Sequence, residues 1–195
     1  MLQYLLRPFS YLSIGHKSKW KIDWLIPVLL AIVSISTVYF LRRYGSIPVY
    51  SDTGIISKIL SFVQSLPGFY IAALAAIATF NKTDIDKRMP EPAPTIDIIV
   101  QGKSIEITLT RRRFLCSMFA FLTAESMLLI VIAIFSLSIA PVIKGMIEPQ
   151  LKEVLSGIFF LFYSILFWQM IVASFWGLYY LGEKLHQPDP QHSGK

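Results

Sequence analysis

The chain has 195 residues, of which 54% are hydrophobic and only 15% are charged. Soluble domains average about 45–50% apolar and about 25% charged residues, so this composition excludes a disordered chain and argues against a soluble domain. The single cysteine, Cys116, excludes an intrachain disulfide and a cysteine-based zinc site. The net charge of +6 has to be interpreted by position, because basic residues mark the cytoplasmic side of membrane proteins.

Four apolar blocks follow one another along the chain. They run from 24 to 41, from about 59 to 80, from 114 to 140 and from about 154 to 181, and Glu125 is the only charged residue within them. A hydrocarbon core of about 30 Å needs about 20 helical residues, so each block is long enough to cross it with some tilt. The sequence therefore predicts an all-α membrane protein with four transmembrane helices.

The blocks divide the chain into five segments. These are a cytoplasmic or interfacial N-terminal segment, a first helix pair, a cytoplasmic loop, a second helix pair and a cytoplasmic tail: 1–23, 24–80, 81–113, 114–181 and 182–195. The first, third and fifth segments hold 13 of the 18 Lys and Arg residues. The positive-inside rule then predicts that both termini and the loop lie in the cytoplasm.

The loop contains a predicted β-hairpin at 95–110, where apolar and polar residues alternate on both sides of Gly102. A two-residue turn at Gly102 and Lys103 sets a register in which Val100 pairs with Ile105. One face then carries six apolar side chains, the candidate partner-binding surface: Ile96, Ile98, Val100, Ile105, Ile107 and Leu109. Because an isolated hairpin is marginally stable, this face must be covered by the same chain, a neighbouring subunit or a cytosolic partner.

Arg111, Arg112 and Arg113 lie directly before the third block. We interpret them as a topology anchor that contacts anionic lipid headgroups. A role in binding DNA is disfavoured, because no recognition helix or zinc module presents these side chains.

Glu125 and Gln169 are the most polar residues inside the blocks. A carboxyl group in a membrane segment marks either an ion or proton path or a buried contact with a neighbouring helix, and an amide is typical of helix–helix hydrogen bonds. Gly68, Ala72 and Ala76 recur every fourth residue and predict a ridge of small side chains where another helix packs closely.

The chain has none of the enzyme motifs HExxH, Walker A, GxGxxG or GxSxG, and its three histidines are scattered outside the blocks. We therefore expect no catalytic residues, no cofactor and no metal site. Four spans are also few for a transporter built on inverted repeats. By elimination, the sequence favours an oligomeric channel, sensor or scaffold.

Two basic-flanked helix pairs joined by a strand-containing loop, with LPGFYIAALAAIATF at 66–80, resemble the small four-span membrane proteins of bacterial anti-phage systems. In size and layout the chain is most similar to the KwaA family, the membrane components of the Kiwa defence system. The resemblance implies a homo-oligomer, such as a tetramer, in the bacterial inner membrane. It also implies a cytosolic DNA-binding partner similar to KwaB, which acts on phage DNA once infection perturbs the envelope.

Two functions from different classes stay open. The first is an inner-membrane sensor and scaffold of an anti-phage system, which recruits a cytosolic DNA-binding effector through the loop without binding nucleic acid itself. The second is a pore that depolarises the membrane, with Glu125 in the ion path. Neither function is enzymatic.

Overall fold

The computed structural model describes residues 5–16, 19–79, 83–89, 93–100, 103–146 and 148–182. The described chain consists of a short 3-10 helix, six α-helices and one two-stranded sheet. The first turn of α1, Lys21–Leu25, is π-helical. In chain order the elements are the 3-10 helix Arg7–Ser13, α1 Lys21–Leu41, α2 Ile55–Val63, α3 Leu66–Thr79, α4 Thr83–Asp86, β1 Thr95–Val100, β2 Lys103–Thr108, α5 Arg111–Met146 and α6 Pro149–Gly182.

Four helical segments of the described chain are long and apolar enough to cross a membrane: Lys21–Leu41, Ile55–Thr79, Arg111–Ile143 and Gln150–Gly182. The predicted number of candidate spans is confirmed by the length and composition of the helices, and each segment is longer than its predicted block. Each predicted block begins directly after a charged residue, whereas a helix can include such residues where it leaves the hydrocarbon.

Helix α5 lies at the centre of the fold. The 3-10 helix, α2, α3 and α6 all pack against it, and α1 packs against α6. The side chains that α5 buries recur in steps of three and four residues, as expected for a helix with one inward face: Phe114, Leu115, Met118, Phe121, Leu122, Leu129 and Ala133.

Hydrogen bonds between side chains connect the helices. The hydroxyl groups of Tyr70 and Ser174 lie 2.6 Å apart, and the indole N–H of Trp168 donates to the Ser34 hydroxyl at 2.9 Å. The outer surface of the bundle is strongly apolar, and large side chains that are more than 60% exposed within the helices include Val33, Phe135, Ile158 and Phe175. Such a surface fits contact with lipid or with other subunits.

Strands β1 and β2 form the predicted antiparallel hairpin, but the predicted register is wrong by two residues. Ile98 pairs with Ile105, and Val100 pairs with Lys103, so residues 101–102 connect the strands. Because side chains alternate with a period of two, a slip of two residues keeps the same residues on each face. The apolar pattern alone could therefore not distinguish the two registers.

The base of the hairpin is held by the same chain. Gly15 and Thr95 exchange two backbone hydrogen bonds, with N–O distances of 3.0 and 3.2 Å. On the other side, the amide of Met89 donates to the carbonyl of Leu109 at 3.2 Å. The N-terminal segment and the segment before β1 therefore flank the hairpin and fix it to the bundle.

Candidate functional site

A buried group of polar side chains lies where the 3-10 helix, the first turn of α1, α5 and α6 meet. We refer to it as the ionic cluster, and it consists of Tyr11, Lys19, Asp23, Glu125 and Gln169. All five side chains are less than 10% exposed. Buried ionisable groups in a membrane-spanning fold are costly, and they are typical of functional sites.

Lys19, two residues before α1, and Asp23, in the first turn of α1, form an ion pair at a spacing of four residues. The Lys19 ammonium group also lies over the ring of Tyr11, 3.9 Å from its centroid, which is a cation–π contact. Burial lowers the pKa of Lys19, and the Asp23 carboxylate opposes this shift. The ion pair with Asp23 therefore favours the charged form of Lys19, which burial disfavours.

Glu125 is only 1% exposed, and neither of its carboxyl oxygens has a hydrogen-bond partner among the described residues. Asp23 lies close enough for the two acidic groups to interact electrostatically. Burial raises the pKa of Tyr11, and the charges of Asp23 and Glu125 raise it further. The Tyr11 hydroxyl lies beside the Asp23 carboxylate but does not meet hydrogen-bond geometry with any described residue.

Gln169 connects α6 to the cluster through the backbone of α1. Its side-chain amide donates to the carbonyl oxygen of Asp23 at 2.8 Å. The turn that contains Asp23 is π-helical, with the N–H of Ile26 bonded to the carbonyl of Lys21 five residues back, and residue 27 is a proline without the N–H that a regular α-helical bond to Asp23 would need. Gln169 supplies a donor to this carbonyl, which makes a hydrogen bond between α6 and α1.

The ionic cluster contains two carboxyl groups and one ammonium group. If all three are ionised, the cluster carries one uncompensated negative charge in a buried site, which is unfavourable. The arrangement can therefore take up one proton or one small cation. Because its members come from the 3-10 helix, α1, α5 and α6, such an event would act on all four elements.

The structure separates the six residues of the predicted partner-binding face. Ile96 and Leu109 are buried at the base of the hairpin, and Ile107 is half-buried. Ile105 is 46% exposed. The side chains of Ile98 and Val100 lie outside the described residues. The chain itself therefore covers the base of this face, and Ile105 is the described member that is open to a partner.

The three consecutive arginines have three different environments. Arg111 is buried, and Arg113 is exposed. Arg112 donates two hydrogen bonds to the carboxylate of Asp86, at 2.7 and 3.0 Å, and one to the carbonyl of Ile77 at 2.8 Å. Arg112 thus stabilises the C-terminal end of α3 and fixes α4 beside it, and Arg113 is the exposed member of the three.

The ridge formed by Gly68, Ala72 and Ala76 is exposed along its length. A Cβ atom added at Gly68 would have no described neighbour within 4 Å. The opposite face of α3, with Tyr70 and Ile77, packs into the fold instead. The ridge therefore does not serve helix packing within the described chain, and it is available to a second copy.

Sequence reasoning missed three members of the ionic cluster, Tyr11, Lys19 and Asp23. They lie before the first apolar block, where charged residues look like ordinary surface groups. Two signals pointed to them: Lys19 and Asp23 are four residues apart, and Pro27 follows Asp23 at the same interval. Comparison with protein-family models, with curated proteins and with solved structures found no match.

Proposed function

We propose that the protein is a membrane sensor and scaffold of a bacterial anti-phage defence system, which recruits a cytosolic DNA-binding effector through its hairpin. The observation that carries the proposal is the backbone link between Gly15 and Thr95. It joins the hairpin to the N-terminal segment that contributes Lys19 and Asp23 to the ionic cluster. The defence role and the KwaB-like partner rest on the resemblance to the KwaA family.

Contacts between aromatic rings hold the N-terminal segment against α5. The rings of Tyr11 and Phe121 stack with centroids 5.1 Å apart, and Phe9 meets Phe121 edge-on at 6.0 Å. A change in the membrane helices that displaces Glu125 or Asp23 would therefore act on this segment. Through Gly15 it would act on the start of β1, which gives a physical route from the bilayer to the cytoplasmic surface.

The distal part of the hairpin is the proposed docking surface. Ile105 is exposed there, and beyond Thr95 the outer edge of β1 has no backbone pairing with other described residues. An open strand edge beside an exposed apolar side chain can bind a partner by strand addition. This mode requires no charged surface on the scaffold and leaves DNA binding to the effector.

The test is partner capture by matched variants of β2. The effector gene is co-expressed with the tagged membrane protein, and recovery of the effector is measured after detergent extraction. Ile105→Lys should abolish recovery and phage protection, while Glu106→Lys, which adds a positive charge to an exposed neighbour on the other face, should retain both. Membrane insertion is checked for both variants.

Equal recovery of the effector by both variants would contradict the docking surface. The location of the hairpin is tested separately with a membrane-impermeant thiol reagent on a single cysteine at position 106 in a Cys116→Ser background. Labelling from outside intact cells would contradict the cytoplasmic loop and the proposed inner-membrane topology with both termini in the cytoplasm.

The proposed assembly is a homo-oligomer such as a tetramer. The exposed ridge on α3 supports it, because small residues allow the backbones of two helices to approach closely. The exposed apolar surface of the helices leaves room for contacts with both lipid and neighbouring copies.

A second candidate function is a pore that depolarises the membrane. The observation that favours it is Glu125, a buried acid whose oxygens have no hydrogen-bond partner among the described residues. Ion flux from liposomes should then occur on activation and be lost in Glu125→Ala, while Ser164→Ala, which removes another buried polar group, should conduct normally. Flux that persists in Glu125→Ala would exclude this acid from the ion path.

A further inference from the structure

A cavity of about 680 Å³ opens at the end of the bundle opposite the hairpin. It lies between the loop that joins α1 to α2, the C-terminal half of α5 and the first turns of α6. Its volume falls within the range of about 300–1,000 Å³ that is typical of ligand sites. The ionic cluster has no residue in its lining.

The side chains that line the cavity are mainly apolar, and several of them are exposed on the outside of the bundle. Phe135 is 61% exposed, and Val131, Ile139 and Leu155 are each more than 40% exposed. All four belong to segments that are apolar enough to span a membrane. In a bilayer the open side of this cavity would therefore face hydrocarbon, and its apolar walls would contact acyl chains.

The inner part of the cavity is held in shape by Tyr50. Its hydroxyl donates to the carbonyl of Ser156 at 2.6 Å, and its ring lies 6.0 Å from that of Phe159. These contacts fix the loop between α1 and α2 against α6. These contacts fix the wall of the cavity, so the cavity is not a gap between loosely placed segments.

Three charged residues line the cavity, and two of them are basic. Arg42 follows the last turn of α1, and Lys152 lies in the first turn of α6 beside Glu153. Neither basic side chain has an ion-pair partner among the residues that the structure describes. The lining therefore combines apolar walls with an excess of positive charge.

We propose that this cavity binds one membrane lipid with an anionic phosphate headgroup. The headgroup lies between Arg42 and Lys152, and an acyl chain occupies the apolar walls of α5 and α6. The charge excess selects an anionic over a zwitterionic lipid, and the side opening toward the bilayer provides the route of entry. The site gives the protein a means of responding to the lipid composition on the side opposite the hairpin.

The experiment is native mass spectrometry of the detergent-solubilised protein with phosphatidylglycerol and with phosphatidylcholine of the same acyl chains. Wild-type protein should prefer phosphatidylglycerol. The double variant Arg42→Gln/Lys152→Gln should lose about twenty-five-fold in affinity for it, because each basic residue contributes about fivefold. The matched control Arg43→Gln/Lys58→Gln removes two charges at the same end outside the cavity lining and should bind as wild type does.

A photo-reactive phosphatidylglycerol tests the same site in unmodified protein. Its crosslinks should map to the cavity lining at 47–51 and 131–143. Unchanged affinity in the double variant, or crosslinks confined to other surfaces, would overturn the proposal. Crosslinks between two copies of the chain across these segments, with lipid absent from them, would assign the cavity to a subunit interface and would overturn it as well.

Discussion

Gln169 of α6 donates a hydrogen bond to the backbone carbonyl of Asp23, which lies in the π-helical first turn of α1, four residues before Pro27. The bond joins the middle of α6 to the first turn of α1, and it is buried. Because Pro27 has no N–H, the residue four positions on cannot donate to this carbonyl. This relationship makes a specific prediction about the coupling of two positions.

Gln169→Leu should lower the free energy of unfolding by about 2 kcal/mol, because it leaves a buried carbonyl without a donor. In a Pro27→Ala background the same change should have less effect, since the alanine N–H can bond to the Asp23 carbonyl when this turn takes the regular α-helical pattern. Thermal and denaturant unfolding of the four proteins forms a double-mutant cycle. An equal loss in both backgrounds would show that the Asp23 carbonyl is not the relevant partner.

The ion pair of Lys19 and Asp23 predicts an asymmetry between single and double variants. Lys19→Met leaves an unpaired buried carboxylate and should destabilise the fold by about 3 kcal/mol. Lys19→Met/Asp23→Leu removes both charges and should be more stable than the single variant. The control is Lys21→Met, because Lys21 is exposed two residues away. Unfolding of the purified proteins measures the difference, and a double variant less stable than the single one would contradict the prediction.

The contact between Asp86 and Arg112 predicts a dependence on pH. Hydrogen bonding to Arg112 lowers the pKa of Asp86, so the contact contributes fully above the ordinary carboxyl pKa of about 4. Its contribution is lost as the pH falls through the lowered value, because the folded state then also binds the proton.

The measurement is hydrogen exchange of the amides at 83–89, corrected for the intrinsic effect of pH. Wild-type protection should fall only at pH values below about 4. Asp86→Asn should show low protection with little pH dependence, and Asp52→Asn, at an exposed position elsewhere, should keep the wild-type profile. A fall in wild-type protection between pH 6 and 5 would point to a different group.

The exposed ridge on α3 predicts an effect on assembly without an effect on the fold of one copy. Gly68→Leu should reduce the oligomer mass, since a large side chain prevents close approach of a second helix. Gly157→Leu, at another helical glycine with no described neighbour within 4 Å, should leave the mass unchanged. Light scattering of the detergent-solubilised variants measures both. Unchanged mass in Gly68→Leu would assign the subunit interface to another surface.

The helices and the hairpin could be predicted from the sequence because their signals are local. Apolar runs define the spans, and alternation around Gly102 defines the two strands. The register of Ile98 could not be predicted, because a slip of two residues leaves each face unchanged. Local pattern therefore determines the elements but does not always determine how they pair.

The ionic cluster required the tertiary structure. Lys19 and Asp23 become buried only because the N-terminal segment folds back onto α5, and no local pattern specifies that contact. The role of Arg112 also required the tertiary structure, because it depends on the positions of α4 and of the C-terminal end of α3 relative to α5. Its neighbours Arg111 and Arg113 have the same sequence environment and quite different surroundings.

Helix α5 has 36 residues without a break. At about 1.5 Å per residue its length is about 54 Å, which exceeds the bilayer hydrocarbon thickness of about 30 Å. A rod of this length must tilt or project into the aqueous phase, and its inclination changes with the thickness of the surrounding bilayer. Local thinning or stretching of a surrounding membrane would therefore change the inclination of α5 at its N-terminal end, directly beside the strands that precede it.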